Sequence, residues 1–287
     1  MERDPEKLPL VSVVTPSMNQ GAYIEDTIQS VLQQDYPRIE HIVVDGGSTD
    51  RTVDILRRYS HLRWISEPDG GQADALNKGF AMAQGEIFGW LNSDDLYLPG
   101  AVSAAVAMLL ETGCGLVHGG WRRIDERGNL INDVKPVPFD LRSQLDYANQ
   151  VAQPGALFTR AAFEAVGGLD LSYRYALDYE LFLRIGARFP VRHVDDVLGA
   201  YRYHPGSKTV AESDGFIEET FRAARSHGGR LRSRIAIDYY LPHRHPWFYR
   251  FVLAYRLTRS RDFAGLGTRI VSRLRRPGAP ARIEGDN

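Results

Sequence analysis

The chain has 287 residues, of which 43% are hydrophobic and 25% charged, an ordinary composition for a soluble globular protein with length for one large domain and a modest extension. Its single cysteine, Cys114, excludes an internal disulfide and gives no sign of an oxidising compartment. The net charge of −1 conceals two unlike parts: Met1 to Phe221 carries a balance of −12. From Arg222 to Asn287, 15 arginines face four acidic residues, a balance of +11, so the two parts are expected to serve different purposes.

The N-terminal stretch Met1 to Leu10 is charged, is broken by Pro5 and Pro9, and lacks the apolar core of a signal peptide. No window approaches the roughly 18 apolar residues that span a bilayer. The expected location is the cytoplasm. Val11–Thr15 (VSVVT) reads as a buried strand closed by Pro16. Ile24, Ile28, Val31 and Leu32 then recur at helical spacing until Pro37. His41–Asp45 (HIVVD) is a second strand, followed by a Gly-Gly turn and a helix carrying Val53, Leu56 and Tyr59. Leu62–Ser66 reads as a third strand, Ala73, Leu76, Phe80 and Ala83 as a third helix, and Ile87–Leu91 as a fourth strand entering Asn92-Ser93-Asp94-Asp95.

Strands alternating with helices imply βαβ units and a mostly parallel sheet. Ligands bind such sheets beyond the carboxyl ends of the strands. Thr15 and Ser17, Asp45, Glu67 and Asp69, and Asp94 and Asp95 all fall at strand ends, so one polar rim is expected. The second half is less regular. Leu116–His118, Ala156–Thr159 and Val197–Tyr203 read as strands, and Ala161–Val166, a segment from near Asp178 through Phe189, and Phe216–His227 as helices.

The pair Asp94-Asp95 directly follows an apolar strand. Hard oxygen ligands there suit Mg²⁺ or Mn²⁺ bridging a diphosphate; a turn or helix cap before Leu96 uses the same residues. In Asp45-Gly46-Gly47-Ser48-Thr49-Asp50, the strand-end carboxylate can accept hydrogen bonds from a base or ribose, or the segment serves only as a turn. No GxGxxG follows the first strand, which argues against a nicotinamide dehydrogenase, and the absence of GxxxxGK[ST] argues against a P-loop NTPase.

Taken together, VSVVTPSMNQGAYIEDTIQSVLQQDYP, HIVVDGGSTDRT, DGGQADALNKGFAMAQGEIFGWLNSDD, QPGALFTR, GGLD and LDYELFLR resemble the family 2 inverting glycosyltransferases of the GT-A fold over roughly Leu10 to His204. The resemblance implies a Rossmann-like α/β domain, a nucleotide-diphosphate sugar donor (UDP favoured), a divalent metal and a single displacement with inversion. Carried onto this sequence, it places Thr15 and Ser17 in the nucleotide pocket, Asp45 at the base or ribose, and Asp74 at the nucleoside. Asp95 is implied as metal ligand, Asp94 near the ribose or sugar, Asp178 as general base, and His204 as a further metal or diphosphate ligand. Leu177 stands where the family usually has a second acid, which leaves Glu180 as a competitor for the base. The implied organisation is a catalytic domain over 1–221, with its nucleotide-sugar half about 10–95 and its acceptor half about 96–221. A basic helical extension over 222–276 and a disordered tail over 277–287 complete it.

The implied acceptor is a hydroxyl of a glycan or lipid-linked sugar in cell-surface polysaccharide synthesis. Within the extension, PWFYRFVLAYRL from Pro246 to Leu257 sets Trp247, Phe251 and Tyr255 beside arginines. That pattern suits peripheral contact with an anionic membrane, or a helix packed back on the domain. Nothing in it resembles a nucleic-acid-binding motif. Two other readings share these features: a nucleotidyltransferase of the same fold class, and a sugar-nucleotide-binding protein without catalysis.

Overall fold

The computed structural model describes residues 7–147, 149–208 and 213–231, together with 233 and 235. In chain order the elements are β1 (Val11–Ser17), α1 (Ile24–Leu32), β2 (Ile39–Asp45), α2 (Thr52–Leu56), β3 (Arg63–Ser66), α3 (Gln72–Met82), β4 (Ile87–Trp90), β5 (Leu96–Tyr97) and α4 (Ala101–Thr112). They continue with β6 (Leu116–Ile124), β7 (Leu130–Val134), α5 (Leu141–Asp146), a 3₁₀ turn (Gln153–Gly155), β8 (Ala156–Thr159), α6 (Arg160–Ala165), α7 (Leu177–Arg188), β9 (Val191–Arg202) and α8 (Ser213–Ser226).

The strands form one nine-stranded sheet in the order β3-β2-β1-β4-β8-β6-β9-β5, with β7 paired to β6. From β3 to β4 every pairing is parallel, as the βαβ pattern requires. Beyond β4 the sheet is mixed. β8 runs antiparallel to β4 and β6, whereas β6 and β9 are parallel. The parallel expectation therefore describes the first half of the sheet.

Both faces of the sheet are covered, which is why β1 is buried at every position and reads as a continuous apolar run. The period of two sorts its side chains. Val14, Phe88, Leu116 and Phe158 belong to a core with Leu76, Phe80, Phe163 and Phe182. Their neighbours Val13, Ile87, Val117 and Leu157 belong to a core on the other face with Val102, Val106 and Leu109 of α4. Aromatic contacts knit the first core, with Phe80 stacked on Phe88 at 4.8 Å between ring centres. Close approach of α3 to β1 needs Gly79, because a Cβ there would lie 2.3 Å from Val14 Cγ1.

Helix α8 runs unbroken across Phe221, where the charge composition changes sign. The Trp247–Leu257 segment and the 277–287 tail lie outside the described residues. Among the described residues, no helix is long and apolar enough to cross a membrane.

Candidate active site

The carboxyl ends of β1 and β4 open onto a cleft of about 930 Å³, lined also by the loop after β3, by β6 and β9, and by the start of α7. At the end of β1, Ser17 lines this cleft, and its buried Oγ has no hydrogen-bond partner among the described residues. A buried hydroxyl of this kind is completed by a ligand or water. Thr15 shares the strand face with Ser17 but sits two residues deeper. It is fully buried and its Oγ1 lies 2.9 Å from His41 Nε2, so the expected pocket role for Thr15 does not match its position.

Asp45 is also fully buried. Its Oδ2 accepts from the Ser48 amide at 2.9 Å, from Ser66 Oγ at 2.7 Å and from the Gly47 amide at 3.2 Å. Its Oδ1 accepts from Ser48 Oγ at 2.5 Å. Those bonds shape the turn after β2, where Gly47 takes φ +86°, a conformation that favours glycine. With its acceptor capacity turned inward, Asp45 shapes the pocket from behind, whereas Asp69 lines the cleft itself. Asp74, in the first turn of α3, accepts from the Gly70 amide at 2.9 Å and pairs with Lys78 at 3.3 Å. It thereby fixes Gly70, while the Gly71 amide donates to Asp69 Oδ1 at 2.8 Å, and both glycines line the cleft.

The Asn92–Asp95 segment divides sharply. Asp94 lines the cleft, and its Oδ2 lies 3.0 Å from His204 Nε2. The His204 ring packs against Tyr23, tilted by 44° with ring centres 4.6 Å apart. Asp95 is fully buried: Oδ1 accepts from the Arg202 amide at 3.0 Å and Oδ2 from Asn92 Nδ2 at 3.1 Å. Burial, and then the neighbouring Asp94 charge, push the Asp95 carboxyl well above the usual range. The expected ligand Asp95 therefore faces the protein, whereas Asp94 lines the cleft with the buried His204 ring beside its carboxylate. Arg202 locks the arrangement: its guanidinium donates to the Asp94 carbonyl at 3.0 Å and to the Glu126 carbonyl at 3.1 Å, and pairs with Asp26 at 2.9 Å.

A polar chain fixes Asn92. Its Oδ1 accepts from Gln72 Nε2 and from Trp90 Nε1, each at 2.8 Å, and its Nδ2 donates to Gln153 Oε1 at 2.8 Å. Gln153 in turn donates to the Trp90 carbonyl, and Lys208 Nζ donates to Gln72 Oε1 at 2.7 Å. The QPG turn is thus tied to the end of β4.

Asp178 lies in the first turn of α7, one residue inside the helix, whose N-cap is Ala176. Its carboxyl lines the cleft, where burial pushes it up to about 6. Asn149 Nδ2 donates to Oδ2 at 3.4 Å. Glu180, two positions along, points elsewhere: it is buried and clasped by Arg184 at 2.6 and 2.5 Å. That geometry suits a structural ion pair and leaves no face toward the cleft.

Several contributors were not visible from sequence. Glu219 of α8 accepts from the amides of Arg174, Tyr175 and Ala176 at 2.7–3.0 Å, bracing the loop that delivers Asp178. Arg202 and Asn149 are equally silent in sequence, because they act through contacts that only the fold creates. The QPG and NSDD strings carried the available signal for Gln153 and Asn92.

Residues 12–167 match the family described as Glycosyl transferase family 2. An uncharacterised glycosyltransferase of Mycobacterium tuberculosis is 39% identical over 181 residues, spanning 61% of this chain and 68% of the relative. The fold resembles S. aureus TarS residues 1–349 in complex with UDP-GlcNAc, with TM-score 0.63 and 17% identity over 84% of this chain and 75% of that one. It also resembles a mannosyltransferase from Pyrobaculum calidifontis in complex with GDP-Man and Mn²⁺, with TM-score 0.65 and 22% identity over 94% and 82% of the two chains.

Proposed function

The chain belongs to glycosyl transferase family 2, and from that premise we propose that it is an inverting glycosyltransferase moving a sugar from a nucleotide-diphosphate donor to a hydroxyl of a glycan or lipid-linked acceptor. The single observation that carries the mechanism is the division of labour in one cleft: Asp94, backed by the buried His204, lines it from one element, and Asp178 lines it from another. UDP remains the favoured nucleotide, and the GDP-bound neighbour keeps GDP in the screen. The acceptor belongs to cell-surface polysaccharide synthesis.

The donor's nucleoside fits between Ser17, Met18, Asp69 and the Gly70-Gly71 turn, beside a buried Ser17 Oγ that has no hydrogen-bond partner among the described residues. Asp94 and His204 offer one hard oxygen and one imidazole nitrogen, a donor set that fits Mn²⁺ or Mg²⁺ completed by phosphate and water. When bound, the metal would supply positive charge for the departing diphosphate. We assign its ligation to Asp94 and His204 in place of Asp95, whose carboxyl instead positions Arg202 and Asn92.

Asp178 then accepts the proton of the acceptor hydroxyl as that oxygen bonds the anomeric carbon. The bond from that carbon to the donor phosphate breaks, and the nucleoside diphosphate carries away the electron pair. A base near 6 is well matched to work at neutral pH, being ionised yet basic enough to help. The test is release of nucleoside diphosphate from a panel including UDP-GlcNAc and GDP-Man, with Mn²⁺ and with chelator. Absence of release from every donor, with Mn²⁺ and across a range of glycan acceptors, would sink this reading.

A further inference from the structure

Opposite the nucleotide wall, the cleft is built from β6 and β9. Trp121 and Arg123 sit two residues apart on β6, hence on one face, and Tyr201 of β9 is in register with Arg123. All three line the cleft with Asp178 and Asn149. Trp121 meets Tyr201 edge to face, ring centres 6.3 Å apart at 90°. The Arg123 guanidinium lies over the Trp121 ring, 5.0 Å from its centre. Unlike Arg122, which is paired with Asp133 at 2.8 Å, Arg123 has no carboxylate within ion-pair distance among the described residues.

We propose that Trp121, Arg123 and Tyr201 form an acceptor subsite that selects a sugar bearing an oxyanion, a carboxylate or a phosphate; this rests on the glycosyltransferase reading of the cleft. The chemistry is specific. A half-buried guanidinium without an acid partner keeps its N–H fork for a ligand, and carboxylate and phosphate are the groups that match the fork. Packing on the indole fixes its direction and lowers the entropy lost on binding. The indole and the Tyr201 ring supply apolar surface for a sugar ring, as ligand clefts generally combine aromatic walls with a few directed polar groups. The other cations of the cleft are placed differently: Lys208 bonds Gln72, beside the Asn92 chain, and Arg174 lies over Tyr175 at 5.4 Å.

The test uses the full chain and three probes: glucose, glucuronate and glucose 6-phosphate, with affinities read by calorimetry or tryptophan fluorescence. At least one charged probe should bind about tenfold or more tightly than glucose, and the stronger one identifies the oxyanion. Arg123→Gln should erase most of that preference while UDP and GDP affinities stay within about twofold. Arg123→Lys, keeping charge but losing the fork, should retain part of it. Glucose binding as well as both charged probes, or a preference unchanged in Arg123→Gln, would overturn the proposal. So would an Arg123→Gln protein that loses nucleoside diphosphate affinity about tenfold, because Arg123 would then serve the donor. Ordinary donor turnover without a charged-sugar preference would sink this subsite alone. Charged-sugar binding through Arg123 in a protein that turns over no nucleotide sugar would refute the transferase reading, and the acceptor role with it.

Discussion

The Asp178 carboxyl can be tested without knowing the acceptor, through the pH dependence of stability. Burial lifts it from an ordinary 3.8 to about 6, against weaker opposing bonds from local backbone amides and Asn149. Between those values the folded protein holds a proton that the unfolded chain has released. Stability contributed at this site therefore falls as pH rises through that window, and the full penalty is in place above about pH 6. A gap of about 2 in pKa corresponds to about 3 kcal/mol. Because the residue is only partly buried at the mouth of an open cleft, we expect about 1–3 kcal/mol. Asp178→Asn keeps the shape and an acceptor for Asn149 but does not titrate. The variant should thus gain on the wild type as pH rises from about 4 to about 6.5 and hold a constant lead above. For a domain of this size that lead is about 2–10 °C in Tm. Urea or thermal melts of both proteins at half-unit pH steps measure it, and the slope of the difference is the readout, since any fixed offset reflects packing alone. Two stability curves that stay parallel from pH 4 to pH 7 would refute the shifted carboxyl, and with it the claim of a base poised near neutrality. Once an acceptor is in hand, transfer at pH 5 should run at about a tenth of its pH 7 rate.

Other consequences follow from the same contacts. Asp94→Asn should cut metal-dependent donor turnover by about a hundredfold or more with an unchanged melting curve; Asp95→Asn should cost less turnover, and the reverse order in steady-state assays would return the ligand role to Asp95. Glu180→Gln should destabilise the fold by about 1.5–3 kcal/mol, because Arg184 loses its charged partner, while the pH profile of transfer stays put; a lost acidic limb would move the base to Glu180. At Gly199 a Cβ would lie 2.1 Å from the Pro154 carbonyl oxygen, so Gly199→Ala should push the QPG turn aside. It should cost about 1–3 kcal/mol and weaken donor turnover through Gln153 and Asn92, as urea melts and turnover assays would show.

How far the sequence carries depends on how locally each feature is encoded. Strands β1 and β4 are short apolar runs buried at every position and record their environment directly, whereas β3 at the sheet edge is half-buried to exposed; all four of β1 to β4 lie within a few residues of the expected spans. The reading left the 101–112 helix and the β7 edge strand unplaced. Helix α4 (AVSAAVAMLLET) is apolar nearly all round and begins after a left-handed Gly100, without a capping side chain to mark its start. Strand β7 is largely exposed and exists because β6 extends past His118 to pair with it, a long-range contact that no local pattern announces. Site residues divide the same way. Ser17, Asp94 and Asp178 stand at element ends, where chemistry and position are both visible. Thr15 and Asp45 have equally suitable side chains, and only packing decides that they bond His41 and the Ser48 turn.

The Asp94-Asp95 pair shows why two adjacent carboxylates are poor candidates for two ligands of one ion. The pair lies beyond the end of β4 at Trp90, within a turn, and that turn presents Asp94 to the cleft while directing Asp95 into the protein. The turn spans Asn92 to Asp95 and is closed by the Asp95 amide on the Asn92 carbonyl at 3.1 Å. A buried carboxyl can persist only if its oxygens are bonded or it holds a proton. Asp95 meets the first condition through Arg202 and Asn92, and the neighbouring Asp94 charge favours the second. Its inward bonds join the end of β9 to the end of β4, the two strands that deliver His204 and Asp94. Asp95 therefore ties together the segments that carry Asp94 and His204, whose side chains lie 3.0 Å apart.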